Sequence, residues 1–135
     1  MKAGGMSSIG AMAMAMALML AMTNLQVSNA QGSCLTVAGA GAPFSDATTV
    51  VQQLRVKPGQ CCQSSSGFCT VQLTSGNAAA TVCGPTGFCP NCADVGNGLN
   101  IILAQCNVNG EVQGAYSPIG SSQQLFYLTS ASNHP

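Results

Sequence analysis

Gly67-Phe68-Cys69-Thr70-Val71-Gln72-Leu73-Thr74-Ser75-Gly76-Asn77-Ala78-Ala79-Ala80-Thr81-Val82-Cys83 is the stretch that decides the fold class. Phe68–Leu73 alternates cleanly, with Cys69, Val71 and Leu73 expected on one face and Thr70 and Gln72 on the other, the period-two signature of a strand. Ser75-Gly76-Asn77 is turn chemistry, and Ala80–Cys83 returns antiparallel. The result is a β-hairpin.

Downstream, Gly84-Pro85-Thr86-Gly87 opens a cysteine-bearing loop. A helix is then expected from Asp94 or Asn97 to Gln105. Val95, Leu99, Ile102, Leu103 and Cys106 fall at i, i+4, i+7, i+8 and i+11 and share one stripe. Gly96 and Gly98 weaken its first turn, by roughly 1 kcal/mol each relative to alanine. Asn109-Gly110 turns the chain, and Glu111–Tyr116 and Gln124–Thr129 read as a second strand pair.

Upstream, Cys34–Val37 reads as a short first strand, and Gly39–Pro43 breaks regular structure. Ser45 or Asp46 can cap a helix whose Val50, Val51 and Leu54 share a face, and Pro58-Gly59 ends it. Two helices burying their stripes on one face of a mostly antiparallel sheet predict a small, disulfide-stapled two-layer α+β sandwich.

All seven methionines lie at or before Met22 and all eight cysteines at or after Cys34. Lys2, an uncharged apolar run Ile9–Met22 and the small residues Ser28 and Ala30 make residues 1–30 a secretory signal peptide cut after Ala30. A membrane anchor is disfavoured, because that run is about 14 residues and a span needs roughly 20. Residues 31–135 are then a single secreted domain, expected to be an extracellular monomer without a membrane span. Eight cysteines in such a domain (Cys34, Cys61, Cys62, Cys69, Cys83, Cys89, Cys92 and Cys106) predict four disulfides. Roughly a hundred pairings are possible. Sequons for N-glycosylation are lacking, and the polar tail carries no lipid-anchor signal.

Past Ala30 the cations are Arg55 and Lys57, and the acids Asp46, Asp94 and Glu111. With no basic cluster, neither nucleic acid nor an anionic membrane surface is an expected partner. Cys89-Pro90-Asn91-Cys92 has redox or zinc-knuckle spacing, but zinc needs a second knuckle or histidines. The one histidine, His134, sits in the tail, so membership of separate structural bridges is the simpler reading. Asp46 and Asp94 read as helix caps, Glu111 as a solvated strand end, and Ser64-Ser65-Ser66 as a loop without a base. No catalytic, metal or cofactor site is expected, and the protein is read as non-enzymatic. Arg55 and Lys57, at the end of the first helix, suit its C-terminal dipole and are also the candidate contact for an acidic partner.

Gly67–Gly76, the helix Val95–Leu103, the return Asn109–Tyr116 and the last strand Leu125–Leu128 together resemble killer-toxin-like proteins of smut fungi and mosses, and related secreted necrosis-inducing fungal effectors. The resemblance covers roughly Cys61–Thr129. It implies a disulfide-stapled α/β sandwich that binds an extracellular or cell-surface target, some members inhibiting fungal growth by blocking calcium uptake. Toxic members are more basic than this chain, and only Arg55 and Lys57 could play such a part. Eight cysteines, a Cys-Cys doublet and few charges also resemble hydrophobins, which are surface-active structural proteins. Against that alternative, Pro90-Asn91 splits the second doublet, and the segment from Cys62 to Cys69 is short where hydrophobins hold a long loop.

Overall fold

The computed structural model describes residues 32–135; the expected signal peptide, 1–30, lies outside the described residues. Ten elements follow one another: β1 (Gly32–Cys34), β2 (Ala42–Pro43), α1 (Phe44–Val56), β3 (Cys69–Ser75), β4 (Ala78–Cys83), α2 (Cys92–Gln105), β5 (Asn107–Val108), β6 (Glu111–Val112), β7 (Gly114–Tyr116) and β8 (Leu125–Ser130). One sheet has the order β1-β7-β8-β4-β3, a smaller one the order β2-β6-β5, and every pair is antiparallel. The protein is a disulfide-stapled two-layer α+β sandwich with both helices on one face of the larger sheet.

Register explains which residues meet the helices. Partners opposite each other in an antiparallel ladder point to the same face. Phe126 pairs with Val82 and Leu128 with Ala80, so these four face one way and join the core with Val50, Val51 and Leu54 of α1 and Val95, Leu99 and Ile102 of α2. Alanine is a weak strand former, but Ala78 and Ala80 let the helix layer approach closely. Tyr116, opposite Phe126, extends an aromatic row with centroids 6.1 Å apart, and Phe88 continues it on the other side at 6.4 Å.

The hairpin lies where the sequence predicts it, but its faces do not. The register slips between Val71 and Leu73, leaving Val71 opposite Thr81 and Leu73 opposite Ala80. This bulge places Leu73 toward the helices and Cys69 and Val71 on the other face. Gln72 is drawn out of the alternation, its side chain donating to the Cys62 carbonyl at 2.7 Å.

Three other expectations are corrected. The first strand is Gly32–Cys34, not Cys34–Val37. Beyond Cys34 the chain leaves the ladder, and Gln113 grips it through both the amide and the carbonyl of Val37, each at 3.0 Å. The same diversion of Gln113 splits the expected strand Glu111–Tyr116 into β6 and β7, which belong to different sheets. Neither helix has the expected cap: α1 follows Pro43 and α2 follows Asn91, with no side-chain capping bond. Asp46 instead accepts the backbone N–H of Asn77 at 2.9 Å, clasping the hairpin turn to α1.

The glycines of α2 have a packing reason that helix propensity hides. A Cβ on Gly96 would sit 2.6 Å from the Arg55 backbone nitrogen, and one on Gly98 2.6 Å from the Tyr116 ring. Gly96 therefore admits the backbone of α1, and Gly98 admits the sheet. Gly96→Ala is expected to destabilise the fold by about 2 kcal/mol in urea unfolding, the overpacking outweighing the propensity gain. An increase in stability would contradict the close approach.

On the face of the sheet away from the helices, Thr81 is fully buried and its hydroxyl has no hydrogen-bond partner among the described residues. A buried hydroxyl without a partner is costly. Thr81→Val keeps the shape and is expected to raise thermal stability by about 1 kcal/mol; a loss would mean that the hydroxyl is satisfied in solution.

Candidate functional site

All eight cysteines are bridged, as Cys34–Cys106, Cys61–Cys92, Cys62–Cys89 and Cys69–Cys83. Backbone ladders bring the partners together. Cys69 and Cys83 are direct register partners. Residues 59–63 run antiparallel to 88–92, through Cys61 N–H to Pro90 O at 2.8 Å, Gln63 N–H to Phe88 O at 2.7 Å and Cys92 N–H to Gly59 O at 3.0 Å. That strip sets Cys62 opposite Cys89, so the two cysteines of Cys89-Pro90-Asn91-Cys92 belong to different bridges. No cluster of histidine, cysteine and carboxylates suited to a metal occurs among the described residues.

The ionisable groups are scattered. Asp46 serves the hairpin turn. Glu111 is exposed on β6. His134 hydrogen-bonds with the Pro135 carbonyl oxygen through Nδ1 at 3.0 Å. Lys57 is exposed just beyond α1.

Arg55 is placed differently. Its Nε donates to Asn97 Oδ1 across the helix pair at 3.1 Å, while Nη1 reaches Gln52 Oε1 at 3.5 Å. Asn97 in turn lines a groove of about 310 Å³ between α2 and the turn joining β7 to β8. Asp94 and Ile101 form the α2 wall of this groove, Pro118 stands on the turn, and Tyr116 and Phe126 supply aromatic surface. The small residue at position 98 is what lets the Tyr116 ring reach the helix.

The turn is held by Ser117, whose hydroxyl accepts the Ser121 N–H at 2.7 Å and donates to the Ser121 carbonyl at 2.8 Å. It carries Pro118 and the exposed Ile119. Neither Arg55 nor Lys57 is among the groove's residues; Arg55 is tied to the groove through Asn97. Asn97, Tyr116 and Pro118 were not singled out as site residues from sequence. The signal that could have marked the place is Gly96-Asn97-Gly98, two glycines inside a helical pattern.

The sequence family model that matches runs over residues 29–129, from just before β1 to the penultimate residue of β8. The chain belongs to the family described as "Domain of unknown function (DUF8794)". The match embraces both helices, the four bridges and the groove, so the family is coextensive with the sandwich. No curated protein and no solved structure matches the chain.

Chemically, the groove offers hydrogen bonds and apolar contact. Among the described residues its polar side chains are one carboxylate, one amide and one phenol, with no serine or cysteine paired to a base.

Proposed function

We propose that the protein is a secreted, non-enzymatic, monomeric binder that needs no cofactor and acts on a foreign cell surface or channel, as its resemblance to killer-toxin-like and necrosis-inducing fungal proteins implies. The observation that carries this reading is the use of every cysteine in four bridges, together with acids dispersed over separate elements. Four disulfides suit an oxidising, extracellular compartment. No described helix is long and apolar enough to cross a membrane. Arg55 and Lys57 are the cationic contacts this reading would use.

Growth of a panel of fungi exposed to oxidised residues 31–135, with and without added calcium, tests the proposal. Inhibition relieved by calcium supports a toxin-like target. Absence of inhibition at about micromolar dose, a range that covers ordinary specific affinities, removes general toxicity. A stable film at the air–water interface would move the protein to the hydrophobin-like alternative. Deleting residues 1–30 is expected to abolish export, and normal export without them would overturn the assignment to secretion.

A further inference from the structure

We propose that the groove between α2 and the β7–β8 turn is a saccharide-binding site, with Asp94 and Asn97 as the paired hydroxyl ligands and the Tyr116 ring as the stacking surface. This rests on the reading of the protein as an extracellular binder, and it names the chemistry that the binder would meet on a cell surface.

Asn97 carries the inference. An amide can turn either its oxygen or its nitrogen toward a ligand. Here Arg55 Nε occupies Asn97 Oδ1 at 3.1 Å, which settles the amide orientation; Asn97 also lines the groove, so the two Nδ2 hydrogens are the donors it would offer a ligand there. Asp94, three residues earlier on α2, is acceptor-only when ionised. Among the described residues its Oδ2 accepts from the Asn91 amide at 3.5 Å. Residues three apart on a helix lie side by side, with Cβ atoms roughly 5–6 Å apart. A donor and an acceptor at that spacing match adjacent ring hydroxyls, each of which both donates and accepts.

The remaining walls fit the rest of a sugar. Tyr116 is half-buried and stacked on Phe126, so its ring is braced from behind. The C–H face of a pyranose packs well on such a surface, while Pro118 and Ile101 supply aliphatic sides. A phosphate or sulfate ligand is disfavoured, because among the described residues the nearby cation, Arg55, is engaged with Asn97, and the Asp94 carboxylate lines the groove. An ammonium ligand would use Asp94 and Tyr116 but would leave the Asn97 donors idle, and so fits less of the site.

Titration of the ¹⁵N-labelled oxidised protein with chitotetraose, laminarihexaose and mannotetraose, and with N-acetyl-lysine methylamide as the ammonium probe, followed by amide chemical shifts, tests the proposal. At least one sugar is expected to shift the amides of Asp94–Ile101 and Tyr116–Ile119 with a Kd of about 1 mM, weak as befits a small, shallow groove. Which sugar responds distinguishes chitin, β-glucan and mannan as the source. Asn97→Asp keeps the shape and the Arg55 contact but removes the donors, and it should weaken binding at least about tenfold. Arg55→Ala frees the amide to flip, and a loss of about threefold is expected from that positioning residue. No shift with any sugar at about 20 mM, shifts elsewhere on the surface, unchanged binding by Asn97→Asp in a folded variant, or a response confined to N-acetyl-lysine methylamide would each overturn the proposal. Binding is read on the purified protein, so sugar recognition without growth inhibition would leave this site standing while the toxin-like reading fails.

Discussion

Cys34→Ala combined with Cys106→Ala is expected to cost the oxidised protein about 4 kcal/mol of stability, close to a third or more of what a domain of this size commonly has. The two cysteines are 72 residues apart, and the other three bridges all lie inside that interval. In the chain-entropy account a loop of about 70 residues is worth roughly 4 kcal/mol, and nested bridges shorten the effective loop only enough to trim a few tenths. The structural consequence is local as well. β1 is three residues long and, among the described residues, pairs with β7 alone. The bridge ties it to the C-terminal end of α2, and Gly114, opposite Cys34, leaves room for the Cys106 sulfur. Urea unfolding of the double variant beside the parent measures the loss. Cys34 is exposed, so the same bridge is expected to open first under mild reductant, as read by peptide mapping. A loss below about 1 kcal/mol would mean that the remaining bridges already confine the unfolded chain.

That bridge also shows where sequence reading reaches its limit. The helices were legible because their buried stripes repeat with the helical period: Val50, Val51 and Leu54 in α1, and Val95, Leu99, Ile102, Leu103 and Cys106 on α2 and at its end, are all buried. The hairpin was legible because Ser75-Gly76-Asn77 can do little but turn. Features set by contacts between distant segments were not. The bulge that sends Val71 and Leu73 to opposite faces depends on a partner strand and on Gln72 reaching Cys62. The disulfide pairing depends on residues 59–63 meeting 88–92. Asp46 carries the local signature of a helix cap, yet it serves a turn 31 residues away. At the candidate site, Arg55 was visible as a rare cation, whereas its partner Asn97 was legible only as a possible start of the second helix. The groove takes shape once α2 packs against β7, an encounter that no single segment encodes.

Gln63→Leu is expected to destabilise the protein by about 1–3 kcal/mol, although glutamine in a serine-rich loop looks replaceable. The side chain is completely buried. Its Nε2 donates toward the carbonyls of Gly67 at 2.9 Å, Gly84 at 3.1 Å and Ser65 at 3.3 Å. Its Oε1 accepts the N–H and the hydroxyl of Ser65, both at 2.9 Å, and the hydroxyl of Thr70. Leucine fills the volume but answers none of these groups. Exposed Gly67 can turn to water, and Ser65 and Thr70 keep other partners; buried Gly84 cannot be rescued in this way. Each buried polar group left without a partner costs about 1–3 kcal/mol. The backbone of Gln63 also anchors the strip that aligns the adjacent cysteines with Cys89 and Cys92, through Phe88 O at 2.7 Å and the Gly87 N–H at 2.9 Å. A loosened strip no longer discriminates between Cys61–Cys92 with Cys62–Cys89 and the exchanged pairing. Refolding Gln63→Leu from the reduced state is therefore expected to give a mixture of the two isomers by peptide mapping where the parent gives one. If the variant kept both its stability and a single pairing, the network around Gln63 would be a consequence of the bridges rather than the scaffold that directs them.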